Sequence, residues 1–390
     1  MSKNVLYLSY DGMTDPLGQS QVLPYIFGLT KKGFTFHLIS FEKKDRFEKH
    51  GGTIRQKCEE NGVIWYPLSY TKTPPLLSTV YDVRRMKKLA IKLHHKNNFI
   101  IVHCRSYLSA MVGLSMKKKF GTKFLFDMRG FWADERVDGG IWNLRNPIFK
   151  LVYKFFKSQE LKFLIHSDQI VSLTHAGKKE MRNWINLKDL EEKIIVIPCC
   201  TDLELFKPVK RDNDLFTIGY LGSLGTWYML KEMLQVYQLI LTQIPNAKFH
   251  FLTKDDPNLI YHEAKLLNID TSNLLVEESE RIDLPEKTKN WNYSIFFIKS
   301  TYSKISSSPT KQGELMGMGI PIICNSGVGD VDQIVKKFNS GIILEDINNP
   351  NLDFISHFEF NKNALHTSSK SYFSLTEGLK SYLRIYSDLC

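Results

Sequence analysis

The sequence predicts an α/β protein made of two doubly wound, parallel-sheet domains in tandem. Three observations carry this. Short apolar runs bounded by glycine, proline or polar residues recur along the whole chain, with helix-like spacing between several of them. Both halves open on the same unit, a buried strand, a glycine-containing loop and a helix, which favours parallel pairing. The 390 residues suit two or three domains at ~100–200 residues each.

In the first half, Val5 to Tyr10 reads as a buried strand and Asp11 to Gly18 as a glycine loop. A helix is predicted from Gln19 to Lys32, ended near Gly33, and a strand from Phe34 to Phe41. Further strands are expected at 63–67, 100–104, 123–126, 169–173 and 194–197. The second half repeats the scheme. Phe216 to Leu221 is a strand, Gly222-Ser-Leu-Gly225 a tight loop and Trp227 to Ile244 a helix. Strands follow at 248–252, 272–276, 294–298, 320–324 and 341–344. A linker lies near Cys199 to Pro208, and Tyr372 to Leu389 reads as a last helix.

Composition narrows the class. At 43% hydrophobic and 24% charged residues the chain is ordinary for a globular protein, and no apolar run approaches the ~20 residues that span a bilayer. The start, Met1 to Asn4 and then Val5 to Leu8, reads as a strand and not as a signal peptide. Six cysteines lack metal-ligand spacing, and Cys199 beside Cys200 does not suit a disulfide framework, so reduced thiols in a cytoplasmic protein are expected. Residues 1–200 hold 33 Lys+Arg against 18 Asp+Glu, and the remainder 19 against 23. A basic half suggests a polyanionic partner. No nucleic-acid motif accompanies the charge, so an anionic membrane surface is expected and nucleic acid is not. Val83 to Leu93 is a basic amphipathic helix, and Lys150, Lys154 and Lys157 lie on a second, Phe-rich one; the first fits either membrane docking or a solvated face over the sheet.

The richest segment is Ser308-Pro-Thr-Lys311-Gln-Gly-Glu314 and on to Asp330. A helix is predicted from about Pro309 to Met318, capped by Ser308 and stopped by Gly319. Free N–H groups at a helix start beside Lys311 make an anion site, and Glu314, one turn in, can reach a neighbouring hydroxyl. An anion cradle with a carboxylate for a diol describes a nucleoside diphosphate. Asp330-Val-Asp332 has the form of a metal-binding Asp-x-Asp, but it follows a glycine loop and starts a helix, so Asp330 reads as a cap.

This block, Ser-Pro-Thr-Lys-x-x-Glu followed by Gly-x-Pro, resembles the donor-binding signature of retaining GT4-type glycosyltransferases. The linker, with Asp202, Phe206 and Pro208, resembles the turn at the same place in that family, so the resemblance covers nearly the whole chain. It implies the GT-B fold, two Rossmann-like domains facing each other across a cleft. Residues 1–200 would bind acceptor, 201–370 would bind donor, and 371–390 would cross back to the first domain. It also implies hexosyl transfer from a nucleotide-diphospho-sugar to a glycan or polyprenyl-linked acceptor in surface-glycan assembly, peripheral to the inner face of a bacterial membrane. No cofactor and no metal are expected.

On this resemblance Gly222, Ser223, Lys299, Pro309, Thr310 and Lys311 hold the diphosphate and Glu314 the ribose. Ser306 stands where the family's first glutamate is usual, and Thr226-Trp227-Tyr228 stands where it supplies cations. Gly18, Gln19, Arg105 and Trp132 would serve sugar or acceptor, with Gly18 letting backbone approach the substrate. His103 sits at a strand end, where it binds acceptor or satisfies a backbone carbonyl. Asp127 lies nearest the place of the family's usual histidine. Arg129 binds phosphate or pairs with Asp127. Two other readings fit the same fold: a nucleotide-sugar epimerase and a non-catalytic nucleotide-sugar-binding protein.

Overall fold

The computed structural model describes residues 3–185, 189–347, 349–352, 355 and 360–390. The chain divides into two compact units, Met1–Pro198 with Leu375–Cys390, and Cys199–Ser374.

The first unit holds β1 (Lys3–Ser9), β2 (Phe34–Glu42), β3 (Ile64–Ser69), β4 (Ile101–Arg105), β5 (Lys123–Asp127), β6 (Gln169–Ser172) and β7 (Ile194–Val196), in the spatial order β3-β2-β1-β4-β5-β6-β7. All neighbours are parallel. The second unit holds β8 (Thr217–Leu221), β9 (Lys248–Leu252), β10 (Leu274–Glu277), β11 (Tyr293–Phe296), β12 (Ile322–Asn325) and β13 (Gly341–Leu344), in the order β10-β9-β8-β11-β12-β13, again parallel. Central strands such as β8 are buried along their whole length, so they read as unbroken apolar runs. Each sheet reverses its winding once, between β1 and β4 and between β8 and β11. The carboxyl ends of strands at such a reversal are where open α/β sheets take ligands.

Several local expectations need correction. The helix expected over Gln19–Lys32 is two, Pro16–Gln21 and Leu23–Thr30, broken at Val22. Pro24 is the cause: it has no N–H to give the Ser20 carbonyl, and its ring crowds that oxygen. The last helix, expected over Tyr372–Leu389, starts at Leu375, because Tyr372 and Phe373 end a preceding helix, Lys362–Phe373. Ser308 does not cap the helix expected over Pro309–Met318. That helix runs Thr310–Gly317 with Pro309 at the N-cap position, and the Ser308 hydroxyl instead accepts the Cys199 amide at 3.2 Å. Gly319, at φ 72°, ends it as expected. Asp330 occupies the N-cap position of Val331–Phe338, but its side chain makes no capping bond; it accepts the Tyr372 hydroxyl at 3.2 Å.

Candidate functional site

In the first unit the carboxyl ends of β1, β4 and β5 bring together a buried charged cluster. His103 and Arg105 alternate on β4, and Asp127 ends β5, 1% exposed. His103 Nε2 lies 3.6 Å from Asp127 Oδ2, too long for a hydrogen bond, and Arg105 and Arg129 each approach the same carboxylate at 3.9 Å. Arg129 reaches it from a left-handed backbone, φ 59°. Burial alone would raise the Asp127 carboxyl, but Arg129, His103 and Arg105 outweigh it and hold Asp127 below the usual range. Burial pushes the His103 imidazole below its ordinary value, against the pull of Asp127. Among the described residues Asp127 Oδ1, His103 Nε2 and Arg105 Nη1 are buried with no hydrogen-bond partner. Three orphaned polar atoms in one cluster leave room for a polar ligand to satisfy them.

Two tyrosines complete this cluster. Tyr386 Oη lies 2.7 Å from His103 Nδ1, and Tyr382 donates to Asp127 Oδ2 at 3.2 Å. Both come from the C-terminal helix Leu375–Leu389, which belongs to this unit. His103 therefore turns to a tyrosine hydroxyl and not to a backbone carbonyl.

The glycine loop after β1 is held by Glu42, the last residue of β2. Its buried carboxylate accepts the amides of Met13 (2.8 Å) and Thr14 (3.0 Å) and the hydroxyls of Thr14 (2.6 Å) and Ser40 (2.5 Å). A Cβ on Gly18 would stand 2.2 Å from the Gly12 carbonyl oxygen, so the close approach at Gly18 is to the loop's own backbone. Gln19 donates to the Thr14 carbonyl at 3.3 Å. Arg105 Nε pairs with Asp11 at 3.2 Å. Trp132 is packed among Tyr107, Trp142 and Phe156, with the Arg136 guanidinium 4.9 Å over its ring.

In the second unit the start of Thr310–Gly317 lies behind the loop after β8. Lys311 is 8% exposed, and its Nζ has no hydrogen-bond acceptor among the described residues. It rests over Tyr228 at 3.8 Å and Tyr220 at 4.2 Å. A Cβ on Gly222 (φ 103°) would come within 3.5 Å of that amine. Burial lowers the Lys311 pKa to about 7, with Glu314 and then Asp255 opposing the shift. Glu314 accepts from Arg281 at 2.8 Å; burial raises its carboxyl and Arg281 restrains the rise.

The residues standing where cations were expected have an unforeseen use. Tyr228 stacks on Lys311, and Trp227 lies 3.6 Å under the buried amine of Lys304. Aromatic faces here hold cations supplied from elsewhere in the unit. Ser223 and Leu224 donate to Asp255 rather than pointing at open space. Lys299 is exposed, and its amide bonds the Trp227 carbonyl at 3.0 Å. Pro309 and Thr310 begin the helix beside Lys311. Among the described residues no three His, Cys, Asp or Glu side chains gather to hold a metal, and no helix is long and apolar enough to cross a membrane.

Sequence reasoning missed Tyr382, Tyr386, Lys304, Glu42 and Asp255 as site residues; Arg281, in the loop after the strand expected to end at Val276, is a weaker sequence candidate for the diphosphate. The only sequence signal for Arg281 was its place after a strand end. The tyrosines carried none.

Residues 23–205 match the sequence profile of Glycosyltransferase Family 4. A comparison with curated proteins gives no match. Sucrose-phosphate synthase from Thermosynechococcus elongatus is similar in structure, with a TM-score of 0.75 and 14% identity over 99% of both chains. Anabaena HepE, in complex with UDP and glucose, has a TM-score of 0.67 and 11% identity over 99% of this chain and 100% of its own. The apo lipopolysaccharide outer core galactosyltransferase WaaB has a TM-score of 0.66 and 13% identity over 99% of both. UDP-N-acetylglucosamine 2-epimerases share the fold at TM-scores of 0.58 and, for a putative one, 0.54. At these identities the likenesses speak to the fold, and the profile match speaks to the family. Residues 23–205 thus resemble Glycosyltransferase Family 4, and the fold of the chain is GT-B.

Proposed function

We propose that the protein is a retaining, metal-independent hexosyltransferase. It takes its sugar from a nucleotide-diphospho-sugar and extends a glycan or polyprenyl-linked acceptor at an anionic membrane surface. One observation carries the reading. The buried amine of Lys311 has no hydrogen-bond acceptor and lies beside Gly222, with Glu314 one turn along the same helix. A diphosphate supplies the missing acceptor and the ribose takes the free lone pairs of Glu314. HepE holds UDP and glucose on this fold, which supports a nucleoside diphosphate as the ligand class.

Retaining transfer of this kind needs the leaving diphosphate stabilised and the acceptor hydroxyl positioned, with no covalent intermediate on the protein. Lys311, the amides that open Thr310–Gly317, and Arg281 through Glu314 serve the first need. Asp127, with His103, Arg105 and Arg129, serves the second by accepting a sugar hydroxyl. Thermal-shift screening with UDP, GDP, ADP and CMP and their sugar conjugates tests this: a ligand that binds only the folded state raises its stability. The effective nucleotide should lose its shift in Glu314→Ala, and an unchanged shift there removes the assignment. The epimerases on this fold favour one second reading. Epimerisation of the donor with no acceptor present would establish it.

A further inference from the structure

The basic segment 83–93 lies within the long helix Leu77–Asn97, and Met86, Ala90 and Leu93 are buried. That stretch is a solvated cover over the unit. A different helix of the first unit leaves its apolar side bare. On Pro147–His166, Ile148, Leu151 and Phe155 are 59%, 69% and 45% exposed, and Ile141, just before it, is 55% exposed. Positions i, i+3 and i+7 form one stripe along a helix. Phe156 and Phe163, which turn toward the unit's core, are buried, and Trp142 stacks on Phe156, which fixes the loop that carries Ile141.

The charge within the segment that carries the stripe has one sign. Residues 139–159 contain no Asp or Glu. Arg145, Lys150 and Lys154 are exposed and make no ion pair among the described residues, whereas Lys157 points inward to Asp134 at 2.9 Å. The surface lies at a definite end of the sheet. β5 and β6 are parallel, so the helix joining them must run back from the carboxyl end. Its first half therefore sits at the same end as His103, Arg105 and Asp127. The exposed Leu77, Val80 and Tyr81 begin the helix between parallel β3 and β4, so they lie at that end too.

We infer that the Ile148–Leu151–Phe155 stripe with Ile141, rimmed by Arg145, Lys150 and Lys154, inserts into an anionic lipid surface. The apolar side chains enter the acyl boundary while the cations meet lipid phosphates, the two contributions that interfacial helices combine. This deepens the membrane-surface part of the proposed function and rests on it for purpose. A lipid-linked acceptor would then present its head group at the end of the sheet that carries the charged cluster.

The test is co-sedimentation of the full chain with phosphatidylglycerol/phosphatidylcholine vesicles and with pure phosphatidylcholine at low salt. The protein should partition at least tenfold better to the anionic vesicles. The triple variant Ile148→Ser, Leu151→Ser, Phe155→Ser should lose most of that binding. Arg145→Gln, Lys150→Gln, Lys154→Gln should lose the preference for phosphatidylglycerol. Leu259→Ser with Leu266→Ser, exposed on the second unit, should change nothing. No wild-type binding, or full binding by the triple serine variant, overturns the inference. So does a concentration-dependent dimer that the serine variant abolishes, because the stripe would then be a contact between copies. Thermal shift by nucleoside diphosphates, measured on the same variants without vesicles, should stay as in the wild type. Its absence in every protein tells against the donor reading and leaves the lipid surface standing.

Discussion

The hydroxyl of Ser223 donates to the carboxylate of Asp255, at 3.0 and 3.2 Å to its two oxygens. The Leu224 amide donates to the same group. A negative side chain thus occupies donors that the proposed function gives to a diphosphate, in the loop that also lies beside Lys311. A phosphate must displace it or meet its charge. Asp255→Asn should therefore tighten UDP binding about three- to tenfold, roughly 0.6–1.4 kcal/mol, while leaving uridine unchanged. Calorimetric titration of both ligands checks this. Weaker UDP binding would make Asp255 a ligand contact instead of a competitor.

Glu314 and Arg281 form an ion pair at the proposed ribose position. The pair is partly buried, and Arg281 also covers the Phe206 ring at 4.9 Å. Arg281→Ala leaves Glu314 in a low-dielectric site with its main counter-charge gone. Both stability and donor affinity should fall, each by about 1–3 kcal/mol. Glu314→Ala should cost donor affinity more than stability, since Arg281 is over a third exposed and can turn to water. Paired melting curves with and without nucleotide separate the two.

Asp127 balances two arginines and accepts from Tyr382, so its removal tests structure and chemistry at once. Asp127→Ala leaves Arg105 and His103 buried without it and should destabilise the first unit by about 3–5 kcal/mol. Asp127→Asn keeps an oxygen for Tyr382 and should fold. With an acceptor in hand, that variant should turn over at least ~100-fold more slowly, at unchanged affinity for the nucleoside diphosphate. A matching loss of diphosphate affinity would mean the defect is not confined to the first unit.

What the sequence made legible follows from the physics of each part. Strands buried on both faces are continuous apolar runs, so β1, β8 and β9 were visible without any alternation. The helix bearing Lys311 and Glu314 was bracketed by Pro309 and Gly319, whose backbone preferences are local. Partners distant in sequence were not legible. Tyr386 meets His103 across 283 positions, and nothing in either neighbourhood encodes that meeting. Asp255 and Ser223 come from loops after different strands, and only the parallel pairing of β8 with β9 brings them together. Charge pattern left two readings open at Val83–Leu93, because basic residues around an apolar spacing describe a helix lying on a sheet as well as one lying on lipid. Exposure alone distinguishes the two.

Glu160 is buried against Tyr107 and Lys157, and burial raises its carboxyl to about 7 from an unfolded value near 4.5. The folded state therefore holds this proton more tightly. The stability it contributes is complete below about 4.5 and is lost as pH rises through about 7, on the order of 3 kcal/mol. Melting temperature should fall between pH 5 and pH 8 in the wild type, with a smaller fall in Glu160→Gln. Equal slopes would mean that other groups set the pH dependence.

Lys311 gives the opposite sign and links stability to binding. Its pKa is about 7 when folded against 10.5 unfolded, so between these values the unfolded chain binds the extra proton. Stability from this group rises with pH across that window. Lys311→Met, which keeps an unbranched apolar side chain over Tyr220 and Tyr228, should be more stable by about 1–3 kcal/mol near pH 7, an advantage that shrinks toward pH 10. Donor affinity moves the other way. Only the ammonium attracts a diphosphate, so affinity for UDP should fall above pH 7, approaching tenfold per unit until bound phosphate itself holds the proton. Lys311→Met should bind UDP weakly with no such slope, and uridine should show none in either protein. A Met variant that is both more stable and equally good at binding UDP would show that this buried amine serves packing and not the donor.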